Sequence, residues 1–136
     1  MPRNDLPVAP GTPGDWLVRA GSDLALAGAA LPEGALLEDL CFHAQQAAEK
    51  AIKAVYRHRD ARFRNTHDIA ELLHGLAGQS IAVPSHVLDA AELSPYAWQS
   101  RYPGTAEPVS ESEYRRALEQ ARAVVEWCRS LIWSAA

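Results

Sequence analysis

Cysteine is scarce in this chain of 136 residues, which contains only Cys41 and Cys128. The two lie far apart in the sequence, and neither belongs to a C-x-x-C motif. A fold stabilised by disulfides or by a structural zinc ion needs more cysteines, or cysteines that are clustered. The sequence therefore predicts neither disulfides nor a zinc site. The sequence instead predicts two small buried side chains in a reducing compartment, and we expect the protein to be cytoplasmic.

Residues that favour strands are also few. Valine, isoleucine and threonine together number 15, whereas alanine and leucine number 40. Small and unbranched side chains lose little freedom in a helix, so the composition predicts an all-α protein. The longest apolar run, Leu24–Leu31, has eight residues and is too short to cross a bilayer. Because residues 1–5 do not open a signal peptide either, we expect no association with a membrane.

Motifs of the common enzyme classes are missing as well. The chain has no glycine-rich phosphate loop, no G-x-S-x-G, no H-E-x-x-H and no aspartate-rich metal motif. The five histidines, at positions 43, 58, 67, 74 and 86, include no i, i+4 pair. The sequence therefore predicts neither a bound metal nor a cofactor.

The nine prolines predict where the helices end, because proline disrupts a helix interior. Apolar residues at three- and four-residue spacing then predict helices over 12–31, 35–59, 67–78, 84–93 and 110–133, with a loop over 94–109. We expect an antiparallel four-helix bundle with an additional short helix, forming a single domain over 13–136 behind a flexible tail over 1–12. On the second helix, Glu49 and Lys53 have the spacing of an ion pair on the outer face.

Charge is distributed unevenly along the chain. The net charge of −4 excludes a general nucleic-acid binder, yet residues 50–64 carry +5 and the remainder −9. Helical spacing places Lys50, Lys53 and Arg57 along one side. His43 and Gln46 lie one or two turns earlier. Such a stripe could hold phosphate groups. A solvated helix end, where cations favour the negative pole of the helix dipole, is the alternative.

A second candidate site is the segment 96–104. It interleaves Tyr96, Trp98 and Tyr102 with Arg101. Aromatic rings beside an arginine could stack a base and bind its phosphate. The same residues could instead close the open end of the bundle, with Arg101 paired to a carboxylate. Both interpretations stay open at this point.

Four segments of the chain, in order, resemble the HEPN-domain proteins of bacteria and archaea. The longest is CFHAQQAAEKAIKA at Cys41–Ala54, which is similar to the signature helix of the family. The others are GDW and SDL within Gly14–Leu24, THDI and LL within Thr66–Leu73, and SRYP at Ser100–Pro103. Because the four occur at the right intervals between about residues 13 and 133, the resemblance covers nearly the whole chain.

The resemblance implies a bundle of four to five helices that usually forms a homodimer. It also implies a two-component system, often of toxin and antitoxin, in which the partner is a minimal nucleotidyltransferase. Nucleotide or RNA binding is the role proposed for the fold. Many catalytic members are metal-independent RNases with an arginine and a histidine separated by four to six residues near the start of the last helix. There the histidine would move protons and the arginine would stabilise the negative charge at phosphorus.

The RNase motif is absent from the place where the family has it. Arg101 occupies the position of the arginine, but residues 106–108 are alanine, glutamate and proline. Arg62 and His67 do have four residues between them, in a different loop. Eleven arginines and five histidines in 136 residues make about one such match expected by chance, so this pair is interpreted as coincidental.

The sequence thus favours a non-catalytic HEPN module that dimerises and binds a nucleotide, RNA or a partner nucleotidyltransferase. The candidate binding residues are His43, Gln46, Lys50, Lys53, His67, Arg101 and Tyr102. A metal-independent RNase toxin that uses Arg101, or Arg62 with His67, is one alternative, so enzymatic activity is left open.

A purely structural interaction protein is the other alternative. Its contact residues would be the four tryptophans, Trp16, Trp98, Trp127 and Trp133, although core packing also explains tryptophans at helical spacing.

Overall fold

A computed structural model describes residues 9–98 and 107–134, apart from the side chain of Ser134. Within these residues the structure contains helices and no strand. The helices are α1 (Pro13–Ala27), α2 (Leu37–His58), α3 (Ile69–Ala77), α4 (Ser85–Leu88), which continues as a 3₁₀ helix over Asp89–Ala97, and α5 (Glu111–Ser134). The predicted all-α class and helical bundle are confirmed. Most of the predicted tail over 1–12 lies outside the described residues.

Local capping interactions set the helix starts that the sequence predicts. The Thr12 hydroxyl accepts a hydrogen bond from the backbone N–H of Asp15, at 3.2 Å, and Pro13 opens α1. At the start of α5, the Ser110 hydroxyl accepts from the N–H of Glu113 while the Glu113 carboxylate accepts from the N–H of Ser110, at 3.1 and 3.0 Å. This reciprocal pair is a capping box, and it fixes where α5 begins.

Two predicted boundaries are wrong. α1 ends at Ala27 rather than near residue 31, because the N–H of Gly28 closes the last turn on the carbonyl of Leu24 at 3.0 Å. The helical segment predicted to stop near residue 93 continues to Ala97 as a 3₁₀ helix, which shortens the predicted loop. The Ser94 hydroxyl holds this segment in place by accepting from the N–H of Ile69 at 2.9 Å.

α2 is the central helix of the bundle, and neighbours cover nearly all of its faces. α1 and α5 pack along it, and the 3₁₀ segment and α3 cover the rest. Its alanines at 44, 47, 48, 51 and 54 are completely buried, so the neighbouring backbones approach closely. Cys41 and Cys128 are both buried and unpaired, as predicted. Burial raises the pKa of the Cys41 thiol to about 12, which leaves it unreactive.

The prediction that Glu49 and Lys53 lie on the outer face of α2 is wrong. They do form the i, i+4 ion pair, with Oε2 and Nζ 2.8 Å apart, but only 4% of Glu49 and 3% of Lys53 is exposed. The reason is that Trp16 from α1 and Phe63 from the α2–α3 connection cover this side of the helix. The periodicity of α2 alone does not predict that Trp16 or Phe63 packs against this side of the helix.

The tryptophans divide into packed and exposed positions. Trp16, Trp127 and Trp133 are partly buried against the core, which matches the packing interpretation, whereas about half of Trp98 is exposed. Among the described residues, no helix combines the length and the apolarity needed to span a bilayer.

Candidate ligand-binding site on the central helix

A buried carboxylate on α1 holds two of the predicted binding residues on α2. Asp23 accepts from Nδ1 of His43 at 2.9 Å with one oxygen and from Nζ of Lys50 at 2.6 Å with the other. Asp23 is nearly inaccessible, while His43 and Lys50 remain about one-third and one-quarter exposed. The α1–α2 contact therefore fixes an imidazole and an ammonium group at the surface.

A second buried carboxylate, Glu49, organises the next turns of α2. It accepts from Nζ of Lys53 at 2.8 Å, from Nε2 of Gln45 at 3.0 Å and from Nδ1 of His67 at 2.7 Å. Gln45 is completely buried and also donates to the backbone carbonyl of His67 at 3.1 Å. Gln46 extends the network by donating to the Gln45 carbonyl oxygen at 2.6 Å. This network anchors the α2–α3 connection onto α2.

Aromatic rings enclose the cationic end of the Glu49 network. The Nζ atom of Lys53 lies 5.9 Å from the centre of the Trp16 ring and 5.2 Å from that of Phe63. The two rings meet edge to face, with centroids 5.9 Å apart. Ring faces attract a cation, so they partly replace the water that Lys53 loses on burial.

The pKa of the Glu49 carboxyl is set by two opposing effects. Burial alone would raise it, because a low-dielectric surrounding disfavours the charged form. The hydrogen bonds from Lys53, Gln45 and His67 outweigh burial and place the pKa below its ordinary value. Glu49 is therefore a carboxylate at neutral pH, and Lys53 faces a full negative charge.

The two histidines use the same ring nitrogen to contact a buried carboxylate. Because a carboxylate only accepts hydrogen bonds, Nδ1 of His43 donates to Asp23 and Nδ1 of His67 donates to Glu49. This leaves Nε2 of each imidazole as the atom available to a ligand. The side chain of His67 is 58% exposed although its partner Glu49 is buried. We name His43, Gln46, Lys50 and His67 the α2 polar row.

The structure brings together most of the residues that the sequence singled out. His43, Gln46 and Lys50 lie along α2, and His67 joins them through Glu49. Lys53 belongs to the Glu49 network but is buried. It therefore pairs with Glu49 inside the protein and is not exposed to a ligand. The remaining candidates, Arg101 and Tyr102, lie outside the described residues.

Most of the basic stretch over 50–64 is engaged within the protein. Beyond the two lysines, Arg64 pairs with Glu71, and Nε of Arg59 donates to Gln79 at 3.0 Å. The guanidinium of Arg57 lies 5.2 Å from the centre of the Phe63 ring. The local net charge of +5 over residues 50–64 therefore overstates the positive charge available to a ligand. Of the predicted cationic stripe, only the part within the polar row remains a candidate binding surface.

Sequence reasoning did not identify the residues that hold the row. Asp23 and Gln45 carried no motif of their own, and Glu49 was placed on the wrong face. One signal was available. Asp23 and Glu49 both lie within the segments that resemble the HEPN family.

A separate cleft of about 360 Å³ lies at the C-terminal end of α2. It is lined by Val55, His58, Arg59, Ile81 and Leu131. The carbonyl groups of the last helical turn point toward this end and disfavour an anion there. Although it contains a histidine and an arginine, the cleft is less suited to a phosphate than the polar row.

Comparison with known proteins identifies the family to which this fold belongs. The profile of the HEPN domain matches residues 14–131. The match covers most of the chain and includes the whole polar row. The chain therefore belongs to the HEPN domain family.

Solved structures give the same assignment. TT1696 from Thermus thermophilus is 31% identical over 88% of this chain and 98% of its own, with a TM-score of 0.77. ST0689, an archaeal HEPN homologue, is 28% identical over 89% of this chain and 98% of its own, with a TM-score of 0.71. A HEPN domain protein from Thermotoga maritima shares the fold at 24% identity and a TM-score of 0.58, over 89% of this chain and 93% of its own. No curated protein matches the sequence closely enough to add a relative.

Proposed function

We propose that this protein is a non-catalytic HEPN module that binds a phosphate-bearing ligand, a nucleotide or RNA, at the α2 polar row. The ligand phosphate would accept hydrogen bonds from the ammonium group of Lys50 and from Nε2–H of His43 and His67 in their imidazolium forms, because Nδ1–H of each ring already donates to a carboxylate. Lys50 has three N–H donors and uses one on Asp23, so two remain.

The observation that carries the proposal is the burial of two carboxylates whose partners reach the surface. Taking ions out of water is costly, and apolar residues of similar volume often stabilise a fold equally well or better. Asp23 and Glu49 are nevertheless buried, and each orients an exposed imidazole. Oriented titratable groups on a partly open face are typical of a functional site.

The charge balance of the row favours a small ligand over a long polyanion. Asp23 neutralises Lys50 and Glu49 neutralises Lys53, so the site attracts phosphate mainly through directed hydrogen bonds. Few free cations are present to displace counterions along a nucleic-acid strand. We infer that a single nucleotide, or a short stretch of RNA, suits the row best.

The proposal includes the assembly that the family resemblance implies. We propose that the protein forms a homodimer in the cytoplasm and acts with a minimal nucleotidyltransferase in a two-component system of the toxin–antitoxin kind. The buried, unpaired Cys41 and Cys128 fit a reducing compartment. Purification of the native protein together with its companion tests the partnership, and isolation of this chain alone would contradict it.

The binding claim is tested by titrating ATP, GTP and a 12-nucleotide single-stranded RNA in low-salt buffer without magnesium. Wild-type protein is expected to bind at least one of them saturably. Lys50→Gln and His67→Ala should each weaken that binding about tenfold or more, because each removes one phosphate contact. Arg115→Gln, a charge removal at an exposed position of α5, is the matched control and should change the affinity less than twofold. No saturable binding by folded wild-type protein would refute the proposal.

A metal-independent RNase is the second candidate, and the His67–Glu49 pair favours it. A carboxylate at Nδ1 and a free Nε2 form the usual arrangement of a general base, and the exposed Arg62 lies five residues before His67. This candidate predicts RNA cleavage in the presence of EDTA, abolished by His67→Ala, and growth arrest on overexpression. Intact RNA and normal growth would exclude it.

A further inference from the structure

Gln46 lies in the middle of the α2 polar row. It follows His43 by one turn and precedes Lys50 by one turn, so the three side chains are neighbours on one face of α2, with about 5–6 Å between their Cβ atoms. Gln46 is half-buried, whereas Gln45 beside it is completely buried. An amide can present either a donor or an acceptor to a ligand, so its orientation matters for what the row can bind.

The orientation of the Gln45 amide is fixed by the two groups that it contacts. Its Nε2 atom donates to the Glu49 carboxylate at 3.0 Å and to the backbone carbonyl of His67 at 3.1 Å. A carboxylate and a carbonyl group only accept hydrogen bonds, so the amide nitrogen has to face both of them. The Oε1 atom of Gln45 therefore faces the other way, toward Gln46.

The Gln45 oxygen in turn fixes the orientation of the Gln46 amide. Nε2 of Gln46 lies 2.6 Å from Oε1 of Gln45 and 3.5 Å from Oε1 of Glu49, and both of these oxygens are acceptors. The opposite orientation would bring two carbonyl oxygens into contact. The nitrogen of Gln46 consequently faces the network and its oxygen faces away from it. Within the part of the chain that the structure describes, no donor contacts this oxygen.

An acceptor at this position disfavours a ligand that offers only phosphate oxygens. Ionised phosphate oxygens accept hydrogen bonds and donate none, so a phosphate oxygen placed against the Gln46 oxygen would be repelled. Covering the Gln46 oxygen without supplying a donor costs the free energy of its lost hydration. A ligand whose phosphate is held by His43 and Lys50 therefore binds best when it carries an O–H or N–H group beside that phosphate.

The sugar of a nucleotide carries such a donor. Its hydroxyl groups lie next to the phosphate, whereas the N–H groups of the base lie on the far side of the sugar. Because Gln46 is a direct neighbour of both His43 and Lys50, the donor that it contacts has to be close to the phosphate. The 2′-hydroxyl is the group that distinguishes ribose from deoxyribose, and it can donate a hydrogen bond.

We propose that Gln46 determines the specificity of the polar row by accepting a hydrogen bond from the 2′-hydroxyl of the ligand. The row then selects ribonucleotides over deoxyribonucleotides. This inference rests on the proposed binding of a phosphate-bearing ligand at the row, and it adds which sugar that ligand carries.

Matched pairs of ligands test the proposal in low-salt buffer without magnesium. The pairs are ATP with 2′-deoxyATP, GTP with 2′-deoxyGTP, and a 12-nucleotide oligoadenylate RNA with its DNA counterpart. We compare the ribose ligand that wild-type protein binds most tightly with its own deoxyribose counterpart. The deoxyribose ligand should bind at least about fivefold more weakly, because it leaves the Gln46 oxygen without a donor.

Gln46→Met separates recognition of the sugar from support of the Glu49 network. Methionine keeps the length of the side chain but has no amide, so the ratio of ribose to deoxyribose affinity should fall at least about threefold. A side chain that only supported the network would change both affinities by the same factor and leave the ratio unchanged. Gln120→Met is the matched control. This half-buried glutamine of α5 donates to Glu92, and the variant should keep the wild-type ratio.

Two results would overturn the proposal. They are a ribose preference of wild-type protein below about fivefold, or a smaller fall of that ratio in Gln46→Met than about threefold. Either result would leave phosphate binding at the row intact. If wild-type protein binds none of the ribose ligands, the proposed function itself fails, so the two failures are distinguishable.

Discussion

At the scale of single residues, position 75 shows how a side chain from one helix dictates the residue type on another. The Tyr56 hydroxyl donates to the carbonyl of Leu72 at 2.7 Å and passes directly over Gly75. A Cβ atom at position 75 would lie 2.0 Å from that hydroxyl oxygen. Glycine at position 75 therefore makes room for the Tyr56 side chain.

We therefore predict that Gly75→Ala destabilises the protein by about 1–3 kcal/mol through overpacking, although alanine is the better helix former. Tyr56→Phe in the same chain should restore part of the loss, because it removes the clashing oxygen. Gly78→Ala is the control, because its Cβ meets no atom closer than 3.4 Å and its backbone is helical. Urea unfolding measures all three, and a Gly75→Ala protein as stable as Gly78→Ala would contradict the argument.

The Glu49 carboxyl group should make the stability of the protein depend on pH. Its pKa is lower in the folded protein than in the unfolded chain, so the stabilisation it provides is complete above about pH 4.5 and is lost as the pH falls through the folded value. Unfolding free energy measured from pH 6 to pH 3 should fall less steeply for Glu49→Gln than for wild type. Glu126→Gln, at an exposed position of α5, should follow the wild-type curve. Parallel curves for all three proteins would show that Glu49 is not stabilised as a carboxylate.

At the scale of elements, the Glu49–Lys53 pair joins α1, α2 and the α2–α3 connection. Removing one partner leaves the other charge buried and unpaired, so we expect Lys53→Met to cost about 3–5 kcal/mol of unfolding free energy. Glu49→Leu combined with Lys53→Met should regain most of that loss, because the site is already lined by Trp16 and Phe63. If the double variant is less stable than Lys53→Met alone, the ion pair itself stabilises the fold, and its role is not limited to orienting the polar row.

The helices themselves could largely be predicted from the sequence, because the signals that start them are local. Thr12 with Pro13, Asp68, and Ser110 with Glu113 act within one turn of the residues they cap. The path beyond residue 93 could not be predicted, because the contact between Ser94 and Ile69 joins segments 25 residues apart. Predictions from periodicity fail where a long-range hydrogen bond decides the conformation.

The candidate site was predictable in part for the same reason. His43, Gln46 and Lys50 share one helix, so their spacing alone places them together. The carboxylates behind them depend on how α1 and the α2–α3 connection pack on α2, which no single-helix pattern contains. The sequence therefore indicated the exposed row and missed the buried groups that orient it.

At the scale of the whole molecule, charge is distributed unevenly over the bundle. In the sequence, a basic stretch over 50–64 is followed by a segment over 66–98 without lysine or arginine. In the structure, most cations of the basic stretch are engaged within the protein, and the α2 polar row lies at the surface beside two buried carboxylates.

Amide chemical shifts of ¹⁵N-labelled protein during a nucleotide titration show whether the phosphate-bearing ligand binds at the polar row. We expect saturable shift changes concentrated in residues 43–50 and around His67. Changes concentrated instead at the cleft of His58, Arg59 and Ile81, or no changes in a folded protein, would contradict it.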